Sequence, residues 1–161
     1  MVSLICATSM KPGMSDRQEI NAYWLVPSDQ DATRFQAVVD ALADQQGAPR
    51  FRAHLSFGSV VGEEPELSGV LEQLSGLTLN PIEIAQTLSF TMSLFVRFAP
   101  TEELLAARTL LASSPGFQAS RDFDPHISLA YGTPEDLEAR IPPEHKLHVE
   151  RILAENGIES K

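Results

Sequence analysis

The 161-residue chain reads as an α+β protein of two similar lobes. Two observations carry that reading. The order strand, helix, strand runs over residues 23–27, 30–46 and 52–61, and again over 88–99, 101–114 and 125–131. Each repeat closes on a strand containing His-x-Ser. With 43% hydrophobic and 21% charged residues, the composition is that of a folded globular chain. One domain spanning residues 1–161 is therefore expected, with residues 1–20 a loosely ordered N-terminal arm.

Taken in order, "KPGMSDRQEINA" at 11–22 is polar and broken by Pro and Gly, which suits a loop or arm. "YWLVP" at 23–27 is a short aromatic and branched run ended by proline, a strand. The helix over 30–46 follows from Ser and Asp as cap candidates, Phe35, Val38, Val39 and Leu42 at helical spacing, and Gly47 as the stop. "FRAHLSFGSVVG" at 51–62 is a strand, and 64–75 a weaker helix because Gly69 sits inside it at about 1 kcal/mol against Ala. Residues 77–100 read as two strands, with Pro81 marking an edge or bulge in the first. Thr101, with Glu103 two residues later, opens the helix at 101–114. "HISLAYG" is a strand, 134–141 a short helix and 146–157 a closing strand.

A formal charge of −10 and a pI near 4.7 disfavour long nucleic acids, whose phosphates are met by basic surfaces. A small nucleotide stays open, since a few local donors can hold one phosphate. Cys6 is the single cysteine, so no intramolecular disulfide or cysteine-based zinc site can form, in keeping with a reducing compartment. The opening "MVSLICATSMK" lacks a leading basic residue and the length of a signal peptide. No stretch approaches the ~20 apolar residues of a membrane span. A cytoplasmic, monomeric protein without membrane contact is expected.

In "HLSF", 54–57, His54 and Ser56 share one strand face while Leu55 and Phe57 share the other; in "HISL", 126–129, His126 and Ser128 do the same against Ile127 and Leu129. With the apolar pairs turned to a core, two imidazoles and two hydroxyls are left for a shared cleft. Imidazoles of pKa near ~6.5 can divide base and acid work at neutral pH. Hydroxyls can donate to phosphoryl oxygens. In-line hydrolysis of a phosphodiester uses those components and requires no metal. A lone strand histidine is more often structural, but the same pattern at matching positions of two repeats favours chemistry.

The paired "HLSF" and "HISL" resemble the H-x-[ST]-x signatures of the two-histidine phosphoesterase superfamily, and the order of elements is similar from about residue 21 onward. "YWLVP" and "HISLAYG" look most like its cyclic phosphodiesterase group. The resemblance implies a bilobal fold, two pseudo-symmetric lobes of antiparallel sheet with outer helices around a central cleft. It implies His54 and His126 as catalytic residues, with Ser56 and Ser128 lining the cleft, and no cofactor or metal. It also implies that His126 activates water and His54 protonates the leaving oxygen, although the residues themselves allow either order. The implied substrate is a small cyclic phosphate on ribose, either a 2′,3′-cyclic nucleotide or ADP-ribose 1″,2″-cyclic phosphate. Where the RNA-directed bacterial branch carries a basic residue after its second motif, this chain has Tyr131.

Tyr131 lies an odd five residues after His126, on the opposite strand face unless the strand ends or bulges; it is a substrate-pocket candidate by ring or hydroxyl, or else a rim aromatic. Trp24 is a candidate stacking face for a base, or else core. His145 and His148 have a spacing that suits metal only on a helix. Arg50, Arg52 and Arg121 precede the motifs and can neutralise a phosphate or simply face solvent. "EEPE" at 63–66 reads as a helix-start charge cluster. The alternatives to the cyclic phosphodiesterase are an RNA-end processing enzyme and a nucleotide-binding module without catalysis.

Overall fold

The computed structural model describes residues 2–10, 19–118 and 122–132. The helix expected at 134–141, the strand expected at 146–157, Arg121, His145 and His148 lie outside those residues. Among the described residues, six strands and three α-helices form in the order β1 (Val2–Met10), β2 (Glu19–Pro27), α1 (Asp29–Gln46), β3 (Leu55–Val61), α2 (Ser68–Leu74), β4 (Pro81–Gln86), β5 (Leu94–Phe98), α3 (Glu102–Ala112) and β6 (His126–Ala130), with a 3-10 turn at Phe90–Met92 between β4 and β5. The arm expected at 1–20 is corrected here. Val2–Met10 is a strand paired antiparallel with Pro27–Glu19 of β2. Its apolar run is too short to announce itself, and the neighbouring strand β2 supplies the backbone hydrogen bonds that stabilise it.

The chain divides into two compact units, each made of three separate segments: 1–28, 55–79 and 100–125 in the first, and 29–54, 80–99 and 126–161 in the second. The first holds the antiparallel strands β1, β2 and β3, with α2 packed on α3 and α3 on β3. The second holds β6, β5 and β4, also antiparallel, with α1 packed on β6. In both sequence repeats the two strands pair with each other, β2 with β3 and β5 with β6, while the helix that links them belongs to the other unit. Strand-helix-strand is thus repeated as expected, but with the helices exchanged.

Within the second unit α1 buries Phe35, Val38, Val39, Leu42 and Ala43, and the Phe35 ring meets Phe98 of β5 at 6.3 Å. Each of the larger side chains so buried contributes about 1.5–3 kcal/mol of transfer free energy. β4 is the outer strand of this unit. Pro81 begins it, at a register shift, where its missing N–H costs no ladder bond. In the first unit Thr101 caps α3 by accepting from the Leu104 N–H at 3.2 Å. Glu66 holds the start of α2 through the Ser68 N–H at 2.8 Å and the Ser68 hydroxyl at 2.7 Å.

Both motif strands carry a β-bulge at the same place. Trp24 pairs with Ser56 and Tyr23 with Gly58, so Phe57 is the extra residue of β3. Phe95 pairs with Ser128 and Leu94 with Ala130, so Leu129 is the extra residue of β6. An extra residue bends its strand and resets which face the following side chains occupy. In the first unit the bulge is held from α3: Arg108 donates through Nε to the Phe57 carbonyl. Its guanidinium lies 4.9 Å from the Phe117 ring centroid and 4.7 Å from that of Phe123.

Candidate active site

Both motif histidines fall in the second unit, although 71 residues lie between them in the chain (55 through 125). His54 immediately precedes β3, and His126 opens β6. Each is half-buried.

The segment leading into His54 is fixed by one residue of α1. Gln36 donates through Nε2 to the Phe51 carbonyl at 2.9 Å and accepts at Oε1 from the Ala53 N–H at 3.0 Å. The peptides on both sides of Arg52 are thereby held, and the Arg52 carbonyl lies 2.6 Å from His54 Nδ1. Burial lowers the pKa of His54 below its ordinary value; the Arg52 carbonyl acts the other way, and the neighbouring His126 imidazole and Arg52 guanidinium push it down again.

Around His126 the sheet supplies an aromatic and a cation. The Phe95 ring meets the His126 ring edge-on, with centroids 5.2 Å apart. Arg97 is the register partner of His126 across β5 and β6; its guanidinium lies 5.2 Å from the Phe95 centroid and forms an ion pair with Glu83 of β4. Cross-strand partners share a sheet face, so Arg97 stands on the His126 side. Sequence analysis missed both Arg97 and Gln36. The only signal for Arg97 is a single charge inside the apolar run "LFVRF".

The two serines are not equivalent. Ser128 is 6% exposed, and its hydroxyl donates to the Thr91 carbonyl in the 3-10 turn at 2.7 Å. Two further bonds tie that region to β6, from the Ser93 hydroxyl to the Ala130 carbonyl at 2.6 Å and from the Gly132 N–H to the Phe90 carbonyl at 3.0 Å. Ser56 is exposed and lies in the first unit, where its register partner is the half-buried Trp24. Trp24 and Ser56 therefore stand side by side on one face of that unit's sheet.

Tyr131 follows the Leu129 bulge, which returns it to the face of Ser128 and His126. Its ring stacks on Phe51 at 3.8 Å and 10°, and Phe90 approaches it at 5.9 Å. One ring face is thus occupied by Phe51. Burial raises the pKa of Tyr131, so its hydroxyl carries its proton. Arg52 is exposed, whereas Arg50 is engaged in an ion pair with Asp44.

Among the described residues, no group of three or more His, Cys, Asp or Glu is arranged to hold a metal. No described helix is long and apolar enough to cross a membrane. No protein-family model matches the chain, and no curated protein matches it in sequence.

Proposed function

We propose that the protein hydrolyses a small cyclic phosphodiester on ribose, a 2′,3′-cyclic nucleotide or ADP-ribose 1″,2″-cyclic phosphate, to a phosphomonoester. His54 and His126 act as the acid–base pair, on a bilobal fold of the two-histidine phosphoesterase kind. The observation that carries the reading is that His54 and His126, from distant parts of the sequence, fall within one compact unit. Two imidazoles, one as proton acceptor and one as donor, are what in-line opening of a cyclic phosphate uses.

Two other features support it. The bulges after Ser56 and Ser128 give the two motifs the same local backbone, as a pseudo-symmetric pair of phosphate-binding strands would require. Arg52 is an exposed cation two residues before His54 in a chain of net charge −10, and a local cation of this kind favours an anionic substrate; the charge of Arg97 is balanced by Glu83. In the unit that holds both histidines, Ser128 donates to a phosphoryl oxygen and the Tyr131 hydroxyl lines the pocket; Ser56 and Trp24 are the substrate-binding residues assigned to the first unit. The overall acidity favours mononucleotides over RNA ends. The scheme needs no metal or cofactor, and the enzyme works as a cytoplasmic monomer.

The test is turnover of 2′,3′-cyclic AMP and ADP-ribose 1″,2″-cyclic phosphate followed by 31P NMR, with His126→Ala as the control. Loss of at least about a hundredfold in kcat/KM is expected from removing an acid–base group. Full turnover by that variant refutes the proposal. Faster turnover of cyclic-phosphate-terminated oligonucleotides would replace the substrate class with RNA ends, and tight nucleotide binding without product would leave a binding module.

A further inference from the structure

We propose that the groove between α2 and the end of α3 is a docking site for a basic segment of a partner protein, one that seats an apolar side chain between lysine or arginine residues. The site lies wholly within the first unit and does not depend on the phosphodiesterase reading.

In "EEPE", 63–66, the fold explains only one of the three charges. Glu66 bonds the Ser68 N–H and hydroxyl, and α2 begins at Ser68 with no acidic residue in its first turn. Helix-end electrostatics fade within a turn, so the helix-start reading holds for Glu66 and not for Glu63 and Glu64. Both of these are exposed, and among the described residues their side chains enter no hydrogen bond or ion pair. Arg108 is the one cation among the described residues of the first unit, and the Phe57 carbonyl and the rings of Phe117 and Phe123 engage it. Like charges crowded together repel and destabilise the compact state. A cationic partner relieves that repulsion.

The three glutamates share an apolar groove of about 390 Å3 with Gly69 and Val70 of α2 and Leu110 of α3, and Pro65 and Pro115 line it as well. Leu110 is 44% exposed and offers the groove apolar surface. Gly69 is an independent sign that this space is kept open. Glycine inside a helix is unfavourable against alanine, and packing does not demand it here, since a Cβ at 69 would meet Leu110 Cδ1 at 3.5 Å, an ordinary van der Waals contact. Alanine would improve both the helix and its contact with α3, and would fill part of the groove. The last turn of α3 holds no basic residue, so the negative end of that helix adds to the glutamates. Apolar surface beside uncompensated negative charge is complemented by an apolar side chain flanked by cations. A patch of this size makes a weak, transient contact.

The experiment follows the fluorescence anisotropy of a labelled GKRLLRKG peptide titrated with the full-length protein at low salt. Wild type should bind it, and less tightly as salt is raised. Glu63→Gln with Glu64→Gln, which removes charge but not volume, should weaken binding at least about fivefold. Glu102→Gln with Glu103→Gln removes the same charge from exposed positions at the start of α3 and should change it by less than about twofold. Gly69→Ala should weaken binding several-fold while raising Tm, a combination that damage to the fold cannot produce. A GKRGGRKG peptide should bind at least about fivefold less tightly, having nothing to seat in the groove. The proposal is overturned if wild type does not bind the leucine peptide, if the glycine peptide binds as well, if the two glutamate pairs lose equally, or if Gly69→Ala binds like wild type. None of these readouts involves turnover, so such a failure leaves the phosphodiesterase reading standing.

Discussion

Replacing each motif serine by alanine should separate two residues that look alike in the sequence. Ser128→Ala removes a hydroxyl that is 6% exposed and bonded to the Thr91 carbonyl at 2.7 Å. A hydrogen bond of this kind is worth about 0.5–1.5 kcal/mol net. Thr91 is exposed, so water can reach its carbonyl once the hydroxyl is gone, and the cost should stay near 1 kcal/mol. For a chain of this size that is a fall of about 2–4 °C in Tm. Ser56 is exposed, and Ser56→Ala should stay within about 0.5 kcal/mol. In turnover the order inverts. To donate to a phosphoryl oxygen, Ser128 must first release Thr91, which uses up about 1 kcal/mol of what the new bond supplies, or a factor of about 5 in rate. Ser56→Ala should therefore lose several-fold more kcat/KM than Ser128→Ala while losing less stability. Urea melts at constant m and steady-state kinetics on the same preparations decide it. A Ser128→Ala protein as stable as wild type, or one more impaired in turnover than Ser56→Ala, refutes the reasoning.

Gly116→Ala should destabilise the first unit by about 2–4 kcal/mol. Gly116 has φ +80°, and an added Cβ would lie 2.0 Å from the Val61 carbonyl oxygen, combining the left-handed penalty of about 1–2 kcal/mol with disruption of the bond from Val61 N–H to the Gly116 carbonyl; a change in urea midpoint equivalent to under 1 kcal/mol would contradict it. The pH dependence of stability should carry the mark of His54. Its folded-state pKa lies below the ordinary 6.5, so as the pH falls through 6.5 the unfolded chain takes up a proton the folded one resists, and stability is lost until the folded pKa is passed. His54→Gln should flatten the change in unfolding free energy between pH 7.5 and 5.5; an unchanged slope would assign it to other groups. Glu66, held low by its bonds to Ser68, acts below 4.5 and outside that window.

Much of this is visible in local patterns. The α1 stripe of Phe35, Val38, Val39 and Leu42, the Thr101 cap, and the alternation that sets His and Ser apart from Leu and Phe all concern neighbours within a turn or two of chain, where periodicity is decisive. What escaped detection depends on partners far away in sequence. β1 is a strand because β2 lies beside it. The bulges at Phe57 and Leu129 are defined by residues opposite them, and only the bulge explains why Tyr131 returns to the side of His126. Gln36 sits among the polar residues of a helix, with nothing to announce that its amide reaches a segment 15–17 residues later. Ser56 and Ser128 occupy the same motif position, yet only a neighbouring turn, whose presence no alternation records, occupies the second hydroxyl.

The exchange of linking helices bears on how the protein can be made. The first unit cannot close until the piece beginning at residue 100 has been synthesised, and the second cannot close until His126 has. Nearly four-fifths of the polypeptide must therefore leave the ribosome before either unit has all its parts, although β1, β2 and β3 can already pair among themselves. Splitting the gene at its midpoint would yield two fragments, neither containing a whole folding unit, that regain structure only when mixed.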